Sequence, residues 1–133
     1  MKPFMDKDFL LKTKSAKKIY NTCKDLPIID YHCHVSPKEI YLDKHFSSIT
    51  EVWLSGDHYK WRLMRAFGIK EYYITGNATA KEKFLAFASV LPKAIGNPMY
   101  HWCHLELKKY FGYDGVLNAD TAETVWQLAN QKL

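Results

Sequence analysis

His32 and His34 stand one residue apart in "IIDYHCHVSP" (residues 28–37), just after an apolar run and just before a Ser-Pro pair that opens a helix. If the run is a strand, side chains two apart face the same way, so Asp30, His32 and His34 share one face and Tyr31 and Cys33 take the other. Two imidazoles then converge on one point. Neutral imidazole is the commonest metal ligand, and paired ligands at the end of a buried strand are rigidly aimed. The same spacing also suits ordinary surface or hydrogen-bonded histidines. A catalytic zinc takes about three protein ligands and keeps one position open, so a third ligand has to come from elsewhere.

A second constellation is "GDHYKWRLMR" (56–65), where Gly56 and Asp57 start a helix whose first turn presents His58 and Tyr59. A helix N-terminus carries partial positive charge and free amide donors, and so suits an anionic ligand. The plainer reading is an amphipathic helix in which His58 and Tyr59 cap while Trp61, Met64 and Arg65 pack or meet solvent. A third is "NPMYHWCHLELKKY" (97–110), with His101 and His104 three apart on one helical face beside Cys103. Here core packing is the stronger expectation: Met99, Trp102 and Leu105 or Leu107 read as core, and Glu106, Lys108 and Lys109 as solvent-facing.

The elements that position these residues are mostly helical. Thr13 caps a helix running to about Lys24, with Ala16, Ile19, Tyr20 and Cys23 along one side. Pro27 closes the connection to "IIDYH", the one segment read as a strand. In "SPKE", Ser36 is an N-cap, Pro37 takes the first helical position and Glu39 completes a capping box. A short helix follows Ser48, carrying Ile49, Val52 and Trp53, and Gly56 breaks it. Asp57 caps the next, which Gly68 ends. Further helices span about Thr79 to Val90, Pro98 to Tyr110, and Asn118 to the end with Thr124, Val125 and Leu128. The expected fold class is therefore mostly α with one β-strand. Its segments are an N-terminal helical portion (1–25), the strand (26–35) and a helical region (36–133). A lone strand leaves backbone groups unpaired, so the segment is expected either to pair with a second copy of the chain or to lie against the helices as an irregular segment.

The 133 residues are 47% hydrophobic and 25% charged, the balance of one globular domain. No run approaches the ~20 apolar residues of a membrane span, and the charged N-terminus does not read as a signal peptide. A cytoplasmic location is expected, with Cys23, Cys33 and Cys103 reduced, since an odd number without CxxC spacing gives no disulfide framework. A net charge of +5 with 15% aromatic residues could suit nucleic acid. The lysines are scattered, however, and the densest cluster, "KTKSAKK" (12–18), reads as a solvated helix face. A non-catalytic helical module that binds zinc or nucleic acid is the alternative to an enzyme.

Taken together, "LPIIDYHCHVSP", "EVWLSGDHYKWRLMRAFG" and "NPMYHWCHLELKKYFG" resemble the N-terminal part of the uronate isomerase (glucuronate isomerase) family, over essentially the whole chain. That family belongs to the amidohydrolase-like metal-dependent TIM barrels. The resemblance implies that the strand is the first of a (β/α)₈ barrel and that the helical region is an insertion after it. Such a barrel needs ~250 residues, so the chain is expected to be an N-terminal fragment, inactive by itself. The resemblance further implies that His32 and His34 bind a divalent metal, commonly zinc, held weakly or not at all in the fragment. His58 and Tyr59 would contact a sugar acid, and Tyr59, coupled to His32, would be the catalytic base at C2. The family's metal-binding aspartate, which would serve C1, and arginines for the substrate carboxylate are expected beyond Leu133. The implied reactions of uronate catabolism are D-glucuronate to D-fructuronate and D-galacturonate to D-tagaturonate. Neither a nucleic-acid nor a membrane partner is implied.

Overall fold

A computed structural model of the chain describes residues 4–133, and among them there are seven α-helices and no β-strand. The chain forms two compact units, Met1–Lys44 and His45–Leu133.

In the first unit α1 is Lys14–Cys23 and α2 is Pro37–Tyr41. Both start where side chains meet orphan amides. Thr13 accepts a hydrogen bond from Ala16 N at 3.0 Å, and Ser36 accepts from Glu39 N at 3.4 Å. The predicted capping box at Ser36 is only half made, because the Glu39 carboxylate is drawn to Lys44 Nζ at 2.8 Å instead. Asp43, with φ +47°, closes α2 in the left-handed region that a short polar side chain tolerates.

The predicted strand at 26–35 does not form, which also removes the predicted barrel strand from the fold class: these residues are bends and irregular chain throughout. The reason is backbone bookkeeping. A strand is stabilised by a neighbour's N–H and C=O groups, and no described segment offers an edge. Locally the Asp30 carboxylate competes as well, taking the His32 N–H at 3.1 Å in a two-residue Asx turn that bends the chain.

In the second unit α3 (Ile49–Leu54), α4 (His58–Ala66), α5 (Ala80–Val90), α6 (Pro98–Phe111) and α7 (Ala122–Asn130) surround one core, with short 3₁₀ turns at Glu71–Tyr73 and Leu91–Ala94. α5 is central and packs on α3, α4 and α7. Trp53, Phe84, Phe87, Leu91, Leu107 and Val125 fill the interior. Thr79 and Glu82 form a complete capping box on α5, and Gly112, at φ +67°, ends α6 in the left-handed turn. The last helix begins later than the Asn118 signal suggests. Asn118 Oδ1 takes the amides of Asp120 and Thr121 at 2.9 and 3.0 Å, so it forms a turn that delivers the chain to α7. Two long-range bonds tie the helix ends together: Ile49 N donates to Asn130 Oδ1 at 2.8 Å, and Thr50 Oγ1 donates to the Ala80 carbonyl at 2.6 Å.

Candidate functional site

The bend at Asp30–His32 brings the two imidazoles together without a strand. His32 Nε2 and His34 Nε2 are 3.2 Å apart, with ring centroids at 5.2 Å and planes at 75°. Two unprotonated nitrogens repel at that distance unless something lies between them. Without a metal, one ring carries its proton on Nε2 and the other accepts it. A tetrahedral zinc fits equally well, since two nitrogens each about 2.0–2.1 Å from the ion stand about 3.3–3.4 Å from one another. The donor set therefore suits two positions of a metal shell. Among the described residues no group of three His, Cys, Asp or Glu side chains is placed to hold an ion. Both histidines are exposed, as are Asp30 and Cys33 beside them.

His58 and Tyr59 occupy the first turn of α4, in the second unit. Asp57 Oδ1 accepts the amides of Tyr59 and Lys60, both at 2.9 Å, and Oδ2 accepts from Lys60 Nζ at 2.6 Å. Burial works to raise the Asp57 carboxyl, but the Lys60 hydrogen bonds and charge outweigh it and hold the group below its ordinary value. The cap is thus a firm carboxylate. The Tyr59 side chain is 71% exposed, with the Arg62 guanidinium 5.7 Å from its ring centre, and the His58 ring meets Trp61 edge-on at 4.8 Å. Tyr59, Arg62 and Leu63 form one wall of an open cleft of about 570 Å³, and Met99 and Trp102 of α6 form another. Arg62 has no carboxylate partner among the described residues. A phenol, a guanidinium and the exposed indole face of Trp102 are the kinds of groups that hold an anionic sugar: charge and hydrogen bonds for its oxygens, an aromatic plane for its C–H face.

In the third constellation, Cys103 and His104 are structural. His104 is buried, its Nε2 accepts from Leu117 N at 2.9 Å, and its Nδ1 lies 2.6 Å from the Tyr100 carbonyl. Accepting at Nε2 places the proton on Nδ1, so both ring nitrogens are used and the neutral form is the one that fits. Burial accordingly lowers the imidazole below its usual value. Burial also pushes the Cys103 thiol up to about 12, leaving it inert as a nucleophile or ligand.

Two sequence expectations on α6 are reversed. Trp102, predicted in the core, is exposed, and of the alternatives Leu105 and Leu107 it is Leu107 that is buried; Glu106, predicted to face solvent, turns inward and accepts from Trp53 Nε1 at 2.7 Å. Burial raises the Glu106 carboxyl, with Lys60 and the Trp53 bond opposing. Lys60, Trp53, Glu106 and Arg62 are the site residues that the sequence reading passed over. A signal existed for Glu106, which lies three residues past buried Cys103 and beside buried Leu107.

The profile of the glucuronate isomerase family matches residues 1–133. Among curated proteins, the chain is 63% identical over 134 residues to a uronate isomerase of Caldicellulosiruptor saccharolyticus, covering 100% of this chain and 29% of that protein. It is 58% identical to the uronate isomerase of Bacillus subtilis, covering 28% of it. The solved uronate isomerase of Thermotoga maritima superposes with a TM-score of 0.94 at 44% identity, over 98% of this chain and 29% of that one. A glucuronate isomerase from Caulobacter crescentus shares the fold with a TM-score of 0.85 at 24% identity. The chain thus spans less than a third of the length of the relatives it matches.

Proposed function

Since the chain belongs to the glucuronate isomerase family, we propose that it supplies the metal-holding histidines and the C2 base of a uronate isomerase. This enzyme would convert D-glucuronate to D-fructuronate and D-galacturonate to D-tagaturonate. The observation that carries the reading is the convergence of His32 Nε2 and His34 Nε2 at 3.2 Å within a chain that matches the family along its whole length.

Aldose–ketose isomerisation moves a proton from C2 to C1 through an enediol-like intermediate. It needs a base within hydrogen-bond reach of C2, an acid at C1 and charge stabilisation on oxygen. Tyr59 is the base at C2: its phenol stands free at the rim of the cleft while its backbone is pinned by Asp57. His58 and Tyr59 contact the sugar acid. His32 and His34 hold a divalent metal, zinc being one of the ions that suit a pair of imidazoles. When bound, such an ion supplies positive charge for the oxygens of an anionic substrate. These residues supply the base but not the acid at C1, and residues 1–133 by themselves are expected to be inactive. A cytoplasmic setting accords with three free cysteines, and no helix among the described residues is long and apolar enough to cross a membrane.

A chimera tests the activity. When residues 1–133 replace the matching segment of the Bacillus subtilis uronate isomerase, the product is expected to isomerise D-glucuronate. Tyr59→Phe in that chimera is expected to lower kcat by ~10²–10⁴-fold with KM little changed. An unchanged kcat would remove Tyr59 from the chemistry, and turnover by residues 1–133 alone that Tyr59→Phe abolishes would refute the inactivity.

Calorimetric titration tests the metal. Zinc binding by the 133-residue chain is expected to be weak, to weaken further as acid competes for the imidazoles, and to be lost in His32→Ala and in His34→Ala. Tight stoichiometric binding that survives both substitutions would place the metal elsewhere.

A further inference from the structure

The first turn of α4 is held from a distance by groups that the proposed reaction does not use. Glu106 of α6 accepts the indole N–H of Trp53 at 2.7 Å. Trp53, 2% exposed, is wedged on α3 between Phe84 and Phe87 of α5, with ring centres at 6.1 and 5.8 Å. Lys60 Nζ lies 6.0 Å from the centre of the Trp53 ring, and the Lys60 side chain is only 12% exposed. The same Nζ grips Asp57 Oδ2 at 2.6 Å, and Asp57 Oδ1 grips the amides of Tyr59 and Lys60. These contacts run in an unbroken series from Glu106 to the first turn of α4. The indole cannot turn without losing its acceptor in an apolar setting, the ammonium lies over the indole face, and the cap cannot rotate without leaving the ammonium.

We propose that Glu106 is a positioning residue for Tyr59, acting through Trp53, Lys60 and Asp57 to fix the direction in which the first turn of α4 presents the phenol. The proposal rests on the assignment of Tyr59 as the C2 base. Tyr59 is exposed and its ring is not packed into the core, so the place of its Cα and the path of its first turn decide where the phenol stands. A protein that needs this phenol within hydrogen-bond reach of one carbon must hold that turn, since displacement by about 1 Å at a reacting group can cost ~10²-fold in rate. Two carboxylates flank Lys60, Asp57 at the cap of its own helix and Glu106 on α6. Lys60 is therefore set between them as a charge as well as a hydrogen-bond donor. Nothing in the packing of α6 requires a carboxylate at this position, because the neighbouring buried residues Cys103, Leu107 and Phe111 supply the apolar face.

Amide hydrogen exchange on the 133-residue chain reads the relay directly. Glu106→Leu is expected to speed exchange of the Tyr59 and Lys60 amides by about tenfold while leaving those of Leu107 and Phe111 on α6 unchanged. Glu106→Gln, which keeps an acceptor for the indole, is expected to restore most of that protection. Trp53→Phe keeps a ring between Phe84 and Phe87 but removes the N–H, so it should reproduce the local loss even if the leucine variant fails to fold. Unchanged exchange at Tyr59 and Lys60 in the leucine or phenylalanine variant, or an even rise along both helices, would overturn the proposal. In the Bacillus subtilis chimera, Glu106→Leu should lower kcat with KM little changed. A chimera in which Tyr59→Phe leaves kcat intact would instead remove the catalytic assignment, while the exchange pattern still reports on the relay.

Discussion

The two compact units are written in the same local code and differ in what they bury. In the first, α1 and α2 begin at Thr13 and Ser36 caps, yet among its described residues only Met5 is buried, while Ile29 and Tyr31 are 86% and 96% exposed. In the second, helices of similar length close over Phe84, Phe87, Leu107 and Val125. Caps and periodicity therefore define where a helix starts and which side is apolar, but burial is a property of the partner. Helices of ten and five residues are marginal in water without one. The unit that carries the histidine pair is thus the one least stabilised by its own contacts, and the unit that carries Tyr59 is the one with the core.

The comparison breaks most readily at the core. Phe87→Ala is expected to cost ~3–5 kcal/mol in urea unfolding followed by tryptophan fluorescence, whereas Ile29→Ala should change stability by less than about 0.5 kcal/mol. A loss above about 1 kcal/mol at Ile29 would show that the first unit is packed after all.

A smaller effect separates the histidines. His104→Leu strands the buried Leu117 N–H and should cost ~1–3 kcal/mol, while His32→Leu in the exposed segment should be near neutral. The sign with pH follows from burial, which lowers the His104 imidazole below its ordinary 6.5. The unfolded chain then binds this proton more readily than the folded one, so the stability that neutral His104 contributes is complete above that ordinary value and is lost as pH falls below it. Melting temperatures across pH 5–8 should slope less in His104→Leu than in the parent; equal slopes would assign the acid sensitivity to another group.

The caps give the smallest contrast. Thr79→Ala removes a complete capping box and should cost ~1 kcal/mol, while Ser36→Ala removes a single 3.4 Å bond whose Glu39 partner is already engaged by Lys44, and should cost about half as much or less. Equal losses by thermal unfolding would mean that the surrounding core contributes nothing to the strength of a cap.

Helix starts at Thr13, Ser36, Ser48, Asp57 and Thr79 were legible in the sequence because a cap is a contract between residues two or three apart, and no distant group is needed to fulfil it. The same holds for the pairing of His32 with His34, since residues two apart can bring their rings together on a strand or on a bend. A strand at 26–35 is not decided locally, because its hydrogen bonds belong to a neighbour that no local pattern supplies. Tertiary structure alone decided that Glu106 turns inward to Trp53 while Trp102 and Leu105 turn out, and that His104 is consumed by Leu117 and Tyr100 rather than left for a metal. Those outcomes depend on which helix lies across α6, a choice made by the shape of the whole core, and periodicity along one helix contains no record of it.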